Sequence, residues 1–284
     1  MRSSDGMSSG NGLKTYCIIG DPVDHSLSPA MHNAAFKALN LNCVYIAFRI
    51  GKDELEAGLL SLRKTNVAGF NVTMPHKVAI MPLLDELDET CKKIGAVNTV
   101  NNENGKLKGY NTDIHGFIEP VKRRKVSLNG KTALLMGAGG AARAVITALI
   151  DEKIAKIIIA NRNIEKARPL GELCKSSEID HELIKLEDAP KYAPDADLIV
   201  NATPIGMNGE SIIGSENISS DSIVYDLVYR PMETALIKNA EEAGATVIYG
   251  YEMLLEQGAK AFEIWKRMEA PRDVMKKTLV GDFT

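Results

Sequence analysis

Several things are scarce in this chain, and each scarcity closes off a class of protein. No stretch approaches the roughly 18 consecutive apolar residues that a membrane span needs. The opening MRSSDGMSSGNG likewise has no apolar core of the kind a secretion signal carries. The expectation is a cytoplasmic protein with no membrane partner, with residues 1–12 as a flexible tail outside the fold. Cysteine is sparse: Cys17, Cys43, Cys91 and Cys174 include no C-x-x-C pair, so neither a zinc site nor a disulfide framework is indicated, and all four are expected as buried thiols. His25, His32, His76, His115 and His181 show no H-E-x-x-H or other ligand spacing, and no metal is expected. Excess charge is missing too. With 34 Lys plus Arg against 37 Asp plus Glu, the net charge of -3 gives no electrostatic reason for a nucleic-acid partner.

What is present is a globular composition, 45% hydrophobic and 25% charged, in 284 residues, enough for about two domains. From Thr15 onward, short β-branched runs alternate with longer amphipathic stretches, the rhythm of α/β architecture. Strands are predicted at Thr15–Ile19, Cys43–Phe48 and Val67–Val72, largely parallel, with helices at Pro29–Asn40 and Lys52–Lys64. Ala96–Asn101 and Lys106–Tyr110 flank an Asn-Gly turn and predict an antiparallel hairpin closing this first sheet. The basic stretch EPVKRRKVSLNGK reads as a helix end and connection, its charges as a solvated face. A second unit then opens at Thr132–Met136, with a helix through Ile150 and further strands at Lys156–Ala160, Leu198–Asn201, Ile223–Leu227 and Thr246–Tyr249. Its repeating strand-helix-strand order predicts a doubly wound, nucleotide-binding sheet.

Gly137-Ala138-Gly139-Gly140-Ala141-Ala142 falls directly after the apolar strand and opens the helix. There Gly137 permits a tight turn, Gly139 lets the backbone approach a pyrophosphate, and the helix amides supply donors at a positive dipole end. A glycine-rich turn without a ligand is the structural alternative. The next strand ends in Asn161-Arg162, where an NAD enzyme usually offers a carboxylate to the ribose 2′-hydroxyl. An Asn and a guanidinium, with Lys166 one turn on, suit a 2′-phosphate instead, so the predicted cofactor is NADP. A surface ion pair between Arg162 and Glu165 is the alternative.

The first unit carries polar residues near its strand ends. Ser26 and Ser28, in SLSP beside a helix start, form a plausible carboxylate cradle, while helix capping by Ser28 would explain it equally. FNVTMPHK holds Asn71, Thr73 and Lys77, and GYNTD ends in Asp113. Thr73 and Pro75 suggest a helix start at Lys77, whose positive dipole end would help its ammonium give up a proton. Reducing a ketone needs such a donor near the oxygen on which charge develops, and a carboxylate such as Asp113 would orient it. His76 points elsewhere than its neighbour and is assigned a structural role.

Together with GAVNTV, NATPIGM and GYEMLLEQGA, these separated motifs make the chain resemble the shikimate dehydrogenase family from Cys17 to Trp265. The resemblance implies an N-terminal α/β substrate domain with a mainly parallel mixed sheet, plus a Rossmann-type doubly wound NADP-binding domain. It implies a small-molecule substrate, 3-dehydroshikimate, reduced to shikimate on the chorismate route to aromatic amino acids. Lys77 and Asp113 match the family's catalytic pair. Ser26 and Ser28 match the carboxylate site, and Asn71, Thr73, Asn98 and Gln257, with Asp113, the ring-hydroxyl site; Tyr229 reaches substrate from the cofactor domain. On the cofactor side the family pattern places Gly137, Ala138, Gly139, Gly140 and Ala141 on the pyrophosphate. It places Asn161, Arg162 and Lys166 on the adenosine phosphate, and Thr203, Met207, Leu227, Gly250 and Met253 around the remainder. Many relatives carry Thr where this chain has Asn163. For Gln257 to meet substrate, the C-terminal helices must return to the first domain, which divides the chain into 13–117 completed by 251–284, and 118–250. Monomer and homodimer stay open, as do a quinate/shikimate dehydrogenase of broader specificity and a non-catalytic NADP-binding regulator on the same fold.

Overall fold

The computed structural model describes residues 12–65 and 67–281; of the expected tail, all but Gly12 lies outside the described residues. The chain begins with β1 (Lys14–Gly20), α1 (Ser28–Ala38), β2 (Cys43–Arg49), α2 (Leu55–Lys64) and β3 (Val67–Val72). A two-residue β4 (Glu86–Leu87) and α3 (Glu89–Ile94) follow, then the hairpin of β5 (Thr99–Glu103) and β6 (Lys106–Tyr110), and α4 (Asp113–Arg123). Short elements have local causes. Asp88 accepts from the Cys91 amide at 2.8 Å to start α3, and Gly95, at φ 71°, ends it. Asn104 and Gly105 both take positive φ, 55° and 89°, which suits the two-residue turn between β5 and β6.

These strands form one sheet in the order β2-β1-β3-β5-β6-β4. β1 pairs parallel with β2 and β3, whereas β5 is antiparallel to β3 and β6. The hairpin therefore does not close the sheet: β4 adds in parallel outside β6.

The second half runs β7 (Thr132–Met136), α5 (Gly140–Asp151), β8 (Lys156–Asn161), α6 (Ile164–Ser176), β9 (Asp180–Lys185), α7 (Ala189–Tyr192), β10 (Leu198–Asn201), β11 (Ile223–Asp226), α8 (Ala235–Glu242) and β12 (Thr246–Ile248). Its sheet is parallel throughout, ordered β12-β11-β10-β7-β8-β9. The order reverses between β7 and β10, the switch point at which open α/β sheets bind ligands. The expected doubly wound sheet is present. Two closing helices, α9 (Gly250–Lys266) and α10 (Arg272–Gly281), return to the first sheet. There Phe262, Trp265, Met275 and Leu279 join Tyr16, Met31 and Phe36 in one buried cluster.

Helix α4 links the two sheets and is anchored on both sides. Phe117 stacks on Tyr225 of β11 with centroids 5.0 Å apart, a pair contributing about 0.5–1.5 kcal/mol beyond its buried area. Arg124 makes a two-pronged bond to Glu252 of α9 at 2.7 and 3.0 Å, and Arg123 meets the buried Glu256, which Arg272 also approaches at 3.1 Å. Glu256 is 1% exposed, so losing a guanidinium would leave a buried charge poorly matched. All four cysteines are free thiols; Cys17, Cys91 and Cys174 are buried, whereas Cys43 is only half-buried because it starts the edge strand β2.

Candidate active site

Between the two sheets lies a cavity of about 190 Å³. The first sheet and its loops bring Ser26, Ser28, Asn71, Thr73, Lys77, Asn98 and Asp113 to its wall. The opposite lobe and α9 contribute Ala141, Leu227, Tyr229, Gly250, Met253 and Gln257. Each of these was named from sequence. Ile18, Val72 and Leu254 also line it and were not; they are apolar residues without a chemical signature.

Lys77 Nζ lies 2.5 Å from Asp113 Oδ2 in the cavity wall. Their side chains are 18% and 5% exposed, so water screens the pair poorly. Asp113 opens α4, where carboxylates are favoured by the dipole, and its amide donates to Asn111 Oδ1 at 2.9 Å. Its other oxygen accepts from Asn98 Nδ2 at 2.7 Å. Lys77 is held differently from expectation. No helix starts there: turns occupy residues 74–75 and 77–80, and the Lys77 carbonyl accepts from the Val97 amide at 2.8 Å instead of from a helical partner. Pro75 keeps the preceding residue out of helical geometry, and the dipole argument for Lys77 falls away. Its electrostatic setting is the Asp113 carboxylate. His76 is buried, its Nε2 2.8 Å from the Ile50 carbonyl.

Ser28 is the first residue of α1, whose N-cap position is Leu27 with no side-chain cap, so the capping alternative is not what its hydroxyl does. The Ser28 amide donates to Ser26 Oγ at 3.3 Å, and both serines line the cavity. Gln257 Oε1, also in the wall, lies 3.5 Å from Asn98 Nδ2. That approach depends on Gly116 of α4, where a Cβ would fall 2.7 Å from Gln257 Cβ and 2.9 Å from the Met253 carbonyl.

The glycine turn meets the requirements of a dinucleotide cradle. Gly137 sits at φ 111°, and a Cβ there would meet the Ala202 carbonyl at 2.8 Å, whereas a Cβ on Gly139 would meet nothing within 4 Å. Space is open above Gly139, and α5 begins without a side-chain cap, leaving its first amides for an anion. Gly140 faces the other way, toward Lys77. Ala138 follows Gly137 within the same turn.

At the end of β8, Asn161 donates to the Asn163 carbonyl at 2.7 Å, and Asn163 caps α6 by accepting from the Glu165 amide at 3.0 Å. Glu165 pairs with Arg168 at 2.6 Å, not with Arg162. Among the described residues Arg162 and Lys166 have no ion-pair partner, and both are exposed. Thr203 is occupied internally, its hydroxyl 2.7 Å from Asn201 Oδ1, and Met207 stands 53% exposed beside it. Asn201 in turn donates to Asp226 Oδ1 at 2.8 Å, and Thr234 to Asp226 Oδ2 at 2.6 Å. This knot ties down the loops carrying Thr203, Leu227 and Tyr229. Burial raises the Asp226 carboxyl to about 6, with these donors opposing the shift. Sequence reading passed over Thr99, Thr112, Asn201 and Asp226; the first two stand beside Asn98 and Asp113 in GAVNTV and GYNTD.

A glycine turn at the switch point of a parallel sheet, facing an ammonium-carboxylate pair on a second lobe, defines a two-lobed, dinucleotide-dependent oxidoreductase. Family descriptions make the class specific. "Shikimate dehydrogenase substrate binding domain" matches residues 18–100, "Shikimate / quinate 5-dehydrogenase" residues 119–222, and "Shikimate 5′-dehydrogenase C-terminal domain" residues 250–280. The shikimate dehydrogenase (NADP(+)) of Nitrosopumilus maritimus is 53% identical over 271 residues, covering 95% of this chain and 99% of that protein. A crystal structure of a shikimate dehydrogenase in complex with NADP+ superposes with a TM-score of 0.88 at 40% identity, covering 96% of each chain. Quinate dehydrogenase from Corynebacterium glutamicum, in complex with NAD, gives 0.87 at 29% identity, covering 94% of this chain and 99% of that one. The chain belongs to the shikimate dehydrogenase family.

Proposed function

We propose that this chain catalyses the reversible, NADP-dependent reduction of 3-dehydroshikimate to shikimate, in the chorismate route to aromatic amino acids. The observation that carries the reading is the Lys77–Asp113 pair, 2.5 Å apart, set between the serine hydroxyls and the glycine turn. Ser26 and Ser28 hold the substrate carboxylate, and Asn71, Thr73, Asn98 and Gln257 bind ring hydroxyls. Tyr229 closes the cavity from the opposite lobe. NADP, when bound, supplies the hydride chemistry. Gly137, Ala138, Gly139, Gly140 and Ala141 hold its pyrophosphate, and Asn161, Arg162 and Lys166 its adenosine phosphate. Thr203, Met207, Leu227, Gly250 and Met253 surround the remainder.

Within this arrangement Lys77 Nζ carries the proton that the substrate oxygen needs as charge develops on it, and takes it back in the oxidative direction. Asp113 aims the ammonium and accepts a hydrogen bond from a neighbouring ring hydroxyl. The serine hydroxyls and Gln257 together fix the ring so that one oxygen meets Lys77. The reading keeps 13–117 with 251–284 as the substrate lobe, supported by the packing of α10 on α1, and 118–250 as the cofactor lobe. No helix among the described residues is long and apolar enough to cross a membrane. The proposed setting is the cytoplasm, as monomer or homodimer.

Arg162 and Lys166, without an ion-pair partner among the described residues, favour NADP over NAD, and so shikimate over the NAD-linked quinate reading. The test follows reduced-nicotinamide absorbance with shikimate and quinate, each with NADP and NAD. Shikimate with NADP is the expected preferred pair, and Lys77→Ala is expected to lower kcat by roughly 10²-fold or more with little change in KM. A Lys77→Ala variant turning over near the parent rate would exclude Lys77 as proton donor. Binding of NADPH without turnover of any arm would favour a regulator.

A further inference from the structure

Behind the cavity wall, Tyr45 of β2 is 1% exposed, and its hydroxyl lies 2.6 Å from Asn71 Oδ1. The directions of the bonds that follow are set by groups with only one role. The Asn98 backbone carbonyl only accepts, so the Asn71 atom 3.2 Å from it is Nδ2, and the atom facing Tyr45 is the oxygen. Asn71 Nδ2 also donates to Thr99 Oγ1 at 3.0 Å, which leaves the Thr99 proton for Asn98 Oδ1 at 2.9 Å. The Thr112 amide, 2.7 Å from Asn98 Oδ1, fixes that side chain as well. Asn98 Nδ2 therefore faces Asp113 Oδ1, 2.7 Å away. Every donor points the same way, from the Tyr45 phenol to the carboxylate that holds Lys77.

We infer that Tyr45 is a positioning residue for the reaction proposed above: its hydroxyl donates to Asn71 Oδ1 and so heads the hydrogen-bond chain, directed by the Asn98 carbonyl and the Thr112 amide, that ends on Asp113. Two consequences follow. Aligned bonds polarise one another, so the donor reaching Asp113 is strengthened by the groups behind it. Asn71 has both amide protons engaged inside the protein and offers the cavity only a carbonyl lone pair, which makes it a partner for a substrate hydroxyl and not for the ketone. Tyr45 itself is held by His32, whose ring stacks on it with centroids 4.6 Å apart and planes at 10°. Burial pushes the Tyr45 hydroxyl well above its ordinary range, with Ser28 opposing only in part, so it keeps its proton as a donor.

The inference rests on the proposed reaction, so parent turnover of shikimate with NADP is measured first. Its absence overturns both. With turnover established, Tyr45→Phe keeps the ring and removes only the donor. The expected result is a kcat lower by roughly tenfold, with KM for NADP within about twofold of the parent, as befits one lost bond in a charged network. Thr99→Val interrupts the same chain nearer Asp113 without touching the aromatic cluster, and the same loss is expected; it carries the test if Tyr45→Phe does not fold. In an Asn98→Ser background Tyr45→Phe should cause no further loss, because the chain is already broken. A kcat within about twofold of the parent in the folded variants, or losses that multiply in the double variant, overturns the positioning role while leaving the reaction intact.

Discussion

Gly140 of the glycine turn is the surface against which the Lys77 stem lies: a Cβ there would come 3.1 Å from Lys77 Cδ and 3.4 Å from its Cβ. The residue that the family resemblance placed on the pyrophosphate thus also makes room for Lys77, the proposed proton donor of the other lobe. Gly140→Ala is expected to push the ammonium off its line to Asp113 and lower kcat on the order of tenfold, with a smaller change in KM for NADP. Steady-state kinetics with both substrates varied decide it. A change confined to KM for NADP would show that the missing side chain serves the cofactor alone.

Among the described residues Arg162 and Lys166 have no anionic partner, which leaves the guanidinium for the proposed 2′-phosphate contact. Arg162→Ala should raise KM for NADP by roughly ten- to a hundredfold, the scale of a lost charge-assisted hydrogen bond, and leave KM for NAD nearly unchanged. An unaltered ratio of catalytic efficiencies with the two cofactors would remove Arg162 from the site.

Gly116 lets α9 approach α4 closely enough to bring Gln257 beside Asn98. Because the nearest obstacle includes the Met253 carbonyl, backbone and not a flexible side chain, Gly116→Ala must separate the helices. A loss of about 1–3 kcal/mol in urea unfolding is expected. A rise in KM for shikimate should accompany it. Parent-like stability and KM would mean the helices accommodate a methyl group freely.

His32 is wholly buried and, among the described residues, neither ring nitrogen has a hydrogen-bond partner; burial drives its pKa down from 6.5 to about 3. The unfolded chain takes up a proton on this imidazole below 6.5 and the folded chain does not until about 3, so its contribution is full above 6.5 and drains away as pH falls through that window. At pH of about 5 the loss from this group is about 2 kcal/mol. His32→Phe keeps the ring stack, and its unfolding free energy should fall less than the parent's between about pH 7.5 and about pH 5. Parallel pH curves for the two proteins would contradict the assignment.

Elements with strong periodicity or local punctuation were readable from the chain. β1, β3, β7 and the β5–β6 hairpin follow from β-branched runs and an Asn-Gly turn, and SLSP, FNVTMPHK, GYNTD and GAGGAA marked residues that meet in one cavity. β9 was not readable: DHELIK is a polar edge strand, exposed at both ends, whose pairing with β8 is supplied by its neighbour. The same holds for β4, two residues long. The expected helix at Lys77 failed because Thr73 and Pro75 are equally good turn residues, and the Lys77 carbonyl finds Val97, twenty residues on, by folding. Nothing in the sequence singles out Tyr45 within the strand, since its partner Asn71 lies on β3, two places across the sheet.

From its sequence alone this protein had its residue chemistry, its strand-helix rhythm and the glycine turn, because these depend on neighbours a few positions apart. Only the tertiary structure decided which way Asn71 and Asn98 turn, that Gly140 faces Lys77, and that Glu165 pairs with Arg168 and not with Arg162. Those outcomes depend on single bonds between segments distant in the chain, and no local pattern encodes a donor's direction.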